Sequence, residues 1–189
     1  MSIQKLAIPQ LKVFYDEHLT RDFPANERRS YENINKLMKH NRYEVFGYFI
    51  NNRLVAYACI AKSTKHAYYL LDYYAVIPSY RNQQIGGTFL KALATLLPAD
   101  GLIIEVETPD LATTPLEYEL RQRRVNFYLN NGAIKSRVSG ELFHVHFTIL
   151  YYPIHETLTN EQLLTATEEL YQELVPINLY QKYVHLHCV

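Results

Sequence analysis

The sequence predicts an α/β fold in which a mixed, mainly antiparallel sheet is flanked by helices. Three observations predict it. The first forty residues carry apolar side chains at helical spacing, and from Tyr43 the period drops to that of strands, beginning with a hairpin. Beyond the hairpin come a buried strand, a glycine-bearing turn, an apolar helix and another strand, an order that implies a right-handed crossover and a parallel pair. The third is size: 189 residues suffice for one ordinary domain with a substantial core.

Pro9 suits a first helical turn, and Leu11, Phe14, Tyr15 and Leu19 recur on one face. Asp22-Phe23-Pro24 ends that helix. A second helix is expected from an N-cap at Asn26 to about Lys39, with Tyr31, Ile34, Leu37 and Met38 on its apolar side. Residues 45–50 and 54–60 should pair across Asn51-Asn52, because asparagine tolerates the positive φ of a two-residue turn. A third strand is expected over 67–76, a helix over 86–97 and a strand over 102–107. Residues 116–130 are expected to be helical, stopped by Asn131-Gly132. Two strands, 133–136 and 141–152, should follow around Ser139-Gly140. The tail segment 159–174 has an amphipathic helical pattern, with Leu163, Leu164, Thr167, Leu170, Tyr171 and Leu174 on one side, and Pro176 closes it. No repeat, low-complexity tract or flexible linker interrupts the chain. One domain over 1–152, with a C-terminal extension over 153–189 packed on it, is the expected organisation.

Bulk composition narrows the function classes. Lys+Arg and Asp+Glu both number 19, so net charge leaves no electrostatic footprint for nucleic acid or a membrane surface. Trp is absent while Tyr reaches 17, a bias that serves either half-buried packing or a ligand-lining phenol. Cys59 and Cys188 lie far apart with no framework spacing, which suits free thiols in the cytoplasm. No long apolar run follows Met1-Ser2-Ile3-Gln4-Lys5, and no stretch approaches the length of a membrane span. A soluble, cytoplasmic protein with neither nucleic-acid nor membrane partners is expected.

Chemistry concentrates at the junction that follows Tyr69-Leu70-Leu71-Asp72-Tyr73-Tyr74. There a buried strand passes through a polar turn into a helix that opens on Gly86-Gly87. Such a junction points unpaired backbone N–H groups and a helix dipole beyond the strand, a setting for phosphate, and glycine lets a ligand approach the backbone closely. Ala75-Val76-Ile77-Pro78, then Arg81-Asn82-Gln83-Gln84-Ile85-Gly86, fits the pattern Arg/Gln-x-x-Gly-x-Gly/Ala behind a strand ending in Ala-Val and a proline. Later, Phe127-Tyr128-Leu129-Asn130-Asn131-Gly132 fits aromatic-Tyr-x-x-x-Gly.

On these motifs and the element order, the sequence resembles the GCN5-related N-acetyltransferase (GNAT) superfamily over most of residues 1–152. It departs from the pattern twice. Gln84 stands where the first glycine of the signature is usual, and at positive φ it would cost roughly 1 kcal/mol. Arg121 stands where many relatives carry an asparagine, seven residues before the tyrosine.

The resemblance implies acetyl-CoA as acyl-donor co-substrate, an amine acceptor, and no metal. It implies that Ala75, Val76 and Ile77 continue sheet-like hydrogen bonding onto the pantetheine arm. Backbone N–H groups of Arg81, Asn82, Gln83, Gln84, Ile85, Gly86, Gly87 and Thr88 would cradle the pyrophosphate. Tyr128 matches the family's general acid, a phenol still protonated at neutral pH. The attacking amine must also lose a proton, directly or through water. Glu105 lies on the strand where several relatives place their carboxylate, and Glu107 shares its face by alternation. Asp72 is the rival base, an acid in an apolar strand whose burial costs several kcal/mol unless partnered.

His144-Val145-His146 and His185-Leu186-His187-Cys188 have zinc-compatible spacing but no accompanying carboxylate or cysteine cluster, so surface or packing roles are expected. Arg121, Arg123 and Arg124 are expected as a solvated helix face, with contact to the 3′-phosphate of CoA or to an acidic substrate as the alternative. The N-terminal helices and the C-terminal extension are expected to wall the acceptor site. A small-molecule amine leads the candidates, and pairing of C-terminal strands between subunits would give a homodimer. The alternative class is a CoA-binding sensor or interaction module without turnover, distinguished by strong acetyl-CoA binding with no CoA release. A nucleotide-binding protein of another kind is disfavoured, since no P-loop lysine accompanies the turn.

Overall fold

A computed structural model describes residues 1–188, the side chain of Asn26 excepted. The chain divides into two compact units, Met1–Lys62 with Asp72–Phe89, and Ser63–Leu71 with the residues from Leu90 onward.

The first unit begins with a strand absent from the sequence expectation, β1 (Ser2–Lys5), too short to show alternation. The first helix starts as a 3-10 turn at Ile8–Gln10 and continues as α1 (Leu11–Phe14), a π turn (Tyr15–Leu19) and α2 (Thr20–Asp22). Leu11, Phe14 and Leu19 are buried, as their spacing requires. Phe23, held extended before Pro24, stops it. The second helix, α3 (Tyr31–Lys39), starts four residues later than expected and is capped by Ser30, whose Oγ accepts from Asn33 N at 3.1 Å. The delay has a cause. Tyr73 Oη accepts from Arg29 N at 2.8 Å and donates to Glu27 O at 3.1 Å, which pins residues 27–29, at and just past the end of the 3-10 turn Ala25–Glu27, outside the α-helix.

The hairpin of β2 (Tyr43–Ile50) and β3 (Arg53–Ala61) turns on Asn51 and Asn52 at φ 50° and 61°. β1 pairs antiparallel along β2. β4 (Tyr68–Val76) and α4 (Ile85–Leu96) each contribute residues to both units. Within the first unit Phe89 of α4 stacks on Tyr48 and Tyr74, with centroids at 5.1 and 5.5 Å.

The second unit carries β5 (Gly101–Glu107), α5 (Pro115–Asn130), β6 (Ile134–Leu142), β7 (Val145–Pro153), α6 (Asn160–Leu174), α7 (Ile177–Tyr183) and β8 (Val184–Cys188). The expected parallel pair is present, with Tyr68 opposite Gly101 and Leu70 opposite Ile103. Gly132, at φ 108°, ends the turn after α5. The next turn is not at Ser139-Gly140. It falls at Phe143-His144, both in the left-handed region, and β6 runs through Gly140. Gly140 is there for space: a Cβ on it would lie 2.3 Å from the His185 carbonyl oxygen of β8. β8 pairs antiparallel with β6 of the same chain. The described strands form one sheet in the order β1-β2-β3-β4-β5-β7-β6-β8. Apart from β4–β5, the described registers are antiparallel. The fold class is therefore the expected mixed, mainly antiparallel sheet with helices.

Candidate active site

In the first unit β4 ends at Val76 and the chain turns through Pro78–Tyr80 into the 81–84 segment. Ile77 N donates to Val55 O at 2.9 Å, so that amide is already used within the unit. Alternation then directs the Val76 amide and carbonyl to the other side of the strand, where Arg81 Nε donates to Val76 O at 3.1 Å. Ala75 and Val76 are partly exposed at this strand end.

Asn82 and Gln84 both adopt φ 60°. Left-handed residues in a turn gather successive N–H groups into a concave nest suited to an anion. Gln84 fills the glycine position of the pattern and does take up the left-handed conformation, at the cost anticipated from its Cβ. Its carbonyl accepts the first helical bond of α4, from Thr88 N at 3.1 Å, and also the Thr88 hydroxyl at 3.1 Å. Ile85, Gly86 and Gly87 are thus the first-turn residues whose N–H groups have no partner inside the helix. Tyr74 Oη donates to Gly86 O at 2.6 Å and fixes that turn from the strand. Arg81, Asn82, Gln83, Gln84 and Thr88 are exposed, while Ile85 and Gly86 are buried.

Asp72 sits elsewhere in the same unit. Its Oδ2 accepts from Arg29 Nε at 2.9 Å and from Tyr43 Oη at 2.5 Å, and its side chain is 10% exposed. Burial, then the Asp72 charge, pushes the Tyr43 phenol well up, so Tyr43 remains a donor. Cys59, also buried, has its thiol pushed up by the same two causes in the same order. This is the arrangement of a partnered core carboxylate.

The second unit holds the other candidates. Glu105 of β5 stands between the buried Ile104 and Val106, opposite buried Ile149 of β7. Its Oε1 accepts from Tyr171 Oη of α6 at 2.5 Å. Glu107, two residues on, pairs with Arg121 at 3.1 Å and Arg124 at 3.5 Å, and Arg121 also donates to Thr108 O at 3.1 Å. Arg121 thus ties α5 to the end of β5. Tyr128 of α5 is buried, and burial pushes its phenol up to about 12, with Arg124 pulling weakly the other way. It stays protonated through the physiological range. Tyr171 is visible in the sequence only as one of two polar-tipped members, with Thr167, of a leucine-rich helix face. Its partner, 66 positions away, is not.

His144 and His146 both approach the Glu141 carboxylate, the second at 4.0 Å, and His146 and His187 line one cavity. His144 lies in the β6–β7 turn with Nδ1 3.2 Å from Glu141, and His187 Nε2 is 3.2 Å from Ser139 Oγ. Among the described residues no three His, Cys, Asp or Glu side chains gather as metal ligands. Nor is any described helix long and apolar enough to cross a membrane. A shallow cavity of about 290 Å³ opens beside Thr108, Thr148, Ser139 and His187. Thr148 stands opposite Val106, so these side chains share the face of β5 turned away from Glu105.

The family model for the acetyltransferase (GNAT) family matches residues 11–116, more than half of the chain. Among solved structures, a GNAT-family acetyltransferase from Bacteroides thetaiotaomicron aligns with a TM-score of 0.72 at 18% identity, covering 90% of this chain and 96% of that one. The ribosomal-protein-S18-alanine N-acetyltransferase from Escherichia coli aligns at 0.57 and 20% identity, covering 84% and 97%. An aminoglycoside 6'-N-acetyltransferase complexed with coenzyme A aligns at 0.61 and 15% identity, covering 84% and 99%. At such identities the likeness establishes the fold. No curated protein matches the chain.

Proposed function

Since the chain belongs to the acetyltransferase (GNAT) family, we propose that it transfers the acetyl group of acetyl-CoA to a primary amine of a small molecule by direct attack. The observation that carries this reading is the left-handed turn at Asn82 and Gln84 leading into the first turn of α4. It presents backbone donors for a pyrophosphate with no basic side chain required. The residues fit the co-substrate: Val76 at the strand end for the pantetheine arm, the nest and the Gly86-Gly87 turn for the phosphates. Bound acetyl-CoA supplies the thioester that activates the acetyl group.

Glu105 is assigned as the base that takes a proton from the amine, directly or through a water. An alkylammonium has a pKa of about 10, so attack at neutral pH needs such an acceptor. Asp72 is set aside because Arg29 and Tyr43 both occupy its Oδ2. Tyr128, protonated up to about 12, is assigned as the acid for the departing sulfur. The acceptor is read as small because the balanced charge, 19 against 19, offers no docking field for a macromolecule. Among the similar structures, one acts on a ribosomal-protein alanine and another on aminoglycosides, so the fold accommodates both kinds of acceptor.

Calorimetric titration with acetyl-CoA, followed by an amine-library screen for CoA thiol release, tests the reading. Binding with turnover of at least one amine is expected. Absence of acetyl-CoA binding overturns it, and tight binding without release on any amine leaves a CoA-binding module instead.

A further inference from the structure

We infer that Tyr171, from the C-terminal helix α6, is a positioning residue that holds the Glu105 carboxylate ionised and oriented for proton abstraction. The inference rests on the reading of Glu105 as the base. Its foundation is the 2.5 Å hydrogen bond from Tyr171 Oη to Glu105 Oε1, made by a phenol only 5% exposed.

The need for such a donor follows from where Glu105 stands. Ile149, fully buried, faces it across the ladder, while Ile104 and Val106 point to the other face of β5. An apolar neighbour on the same face offers a carboxylate no hydrogen bond and disfavours its charged form. A carboxylic acid that is already protonated cannot accept the amine's proton. A hydrogen bond donated to the charged form acts in the opposite direction and keeps the carboxylate ionised at working pH. The Tyr171 donor also restricts the carboxylate's rotamer.

Glu107 shares the face of Glu105 and is balanced by Arg121 and Arg124 of α5. β7 contributes the apolar Ile149 opposite, and α6 contributes Tyr171. Tyr128 titrates at about 12, outside the range in which Glu105 would change.

The helix that delivers Tyr171 is fixed at both ends. Thr159 and Gln162 close a capping box at its start, and Asn160 Oδ1 accepts from Arg137 N of β6 at 2.8 Å. Near its end Glu173 accepts from Thr64 N and Thr64 Oγ1, each at 2.9 Å. Between them Leu163, Ala166, Thr167, Leu170 and Leu174 bury one face. A helix merely covering apolar surface needs no buried phenol in its last turn. Tyr171 is the polar tip that reaches the strand carboxylate.

The test is the pH dependence of kcat/KM for the acetylated amine in Tyr171→Phe, Glu105→Gln and the wild type. Removing the donor raises the carboxyl's proton affinity. The acid limb of Tyr171→Phe should therefore move up by about one pH unit, with KM for acetyl-CoA unchanged. Glu105→Gln should lose the acid limb together with at least about 100-fold in kcat/KM. If Glu105→Gln is crippled while the Tyr171→Phe limb coincides with wild type, the positioning role falls and the base assignment stands. If Glu105→Gln keeps full activity, both fall. Should Tyr171→Phe fold poorly, 3-fluorotyrosine at position 171 keeps the bond with a stronger donor, and the limb must then move down. No movement there overturns the inference equally.

Discussion

Asp72 and Glu105 illustrate how far one residue can be read from its neighbours in sequence. Both are acids in apolar strands, and their strand positions leave both open as bases. What separates them is the partner: an arginine 43 positions away for Asp72, a tyrosine 66 positions away for Glu105. Such distances carry no sequence signal. Asp72→Asn should cost about 3 kcal/mol in urea unfolding, because it breaks a shielded ion pair, while the acid limb of activity stays in place. A shifted limb in this variant would return Asp72 to the chemistry. Tyr128→Phe should lower kcat by about 100-fold. Since burial holds the Tyr128 phenol at about 12, and an acid must be protonated to act, any alkaline decline below pH 11 in the wild type belongs to another group and should persist in the variant. Gln84 was legible as a departure, and its φ of 60° gives the departure a physical meaning. Gln84→Gly relieves the left-handed strain but frees the unfolded chain, so a net gain of about 0.5 kcal/mol is expected in chemical denaturation. A loss would mean that the exposed Gln84 side chain makes a stabilising contact.

Elements were legible where local chemistry dictates them. Asn51-Asn52 specifies its own turn, and the helical period over 116–130 is closed by Gly132. They were illegible where tertiary contacts decide. Tyr73 holds residues 27–29 out of the helix that their propensity would extend, so Ser30 becomes the cap. Ser139-Gly140 carries the residues of a turn, yet Gly140 lies in mid-strand because the β8 backbone crosses close to it, a contact supplied by a segment more than forty residues later. That crossing makes a definite forecast. Gly140→Ala puts a methyl against the His185 carbonyl and the Leu186 backbone, neither of which can swing aside as a side-chain tip would. A loss of about 1–3 kcal/mol is expected, with hydrogen exchange accelerated first in β8. Unchanged protection of the Val184–Cys188 amides would show that the strands separate without penalty.

For the whole molecule, the excess of tyrosine over tryptophan becomes intelligible. Tyr43, Tyr57 and Tyr171 each donate to a carboxylate, and Tyr73, Tyr74 and Tyr151 donate to backbone carbonyls. Buried aromatic bulk and satisfied polar groups are supplied by one residue type, and carboxylates so held must stay ionised for the fold to keep its partners. Stability should accordingly fall in acid, and Glu44 of β2 allows this to be measured. It is 8% exposed and accepts from Lys5 at 2.6 Å and Lys62 at 2.8 Å. Burial alone would raise its proton affinity, but the two lysine hydrogen bonds outweigh burial and hold it below the ordinary glutamate range. A carboxylate depressed in the folded state contributes stability that is fully present above its unfolded value of about 4.3 and is lost as pH falls through the folded value. Glu44→Gln removes that contribution at every pH. The variant should therefore melt below wild type at pH 7, and the gap between the two Tm values should narrow as the pH is lowered from 5 towards 3. Two Tm curves that run parallel across that interval would show that Glu44 exchanges no proton on unfolding, and the acid sensitivity would then have to lie in Asp22, whose carboxyl is likewise depressed because its hydrogen bonds with Arg21 and Tyr57 outweigh burial.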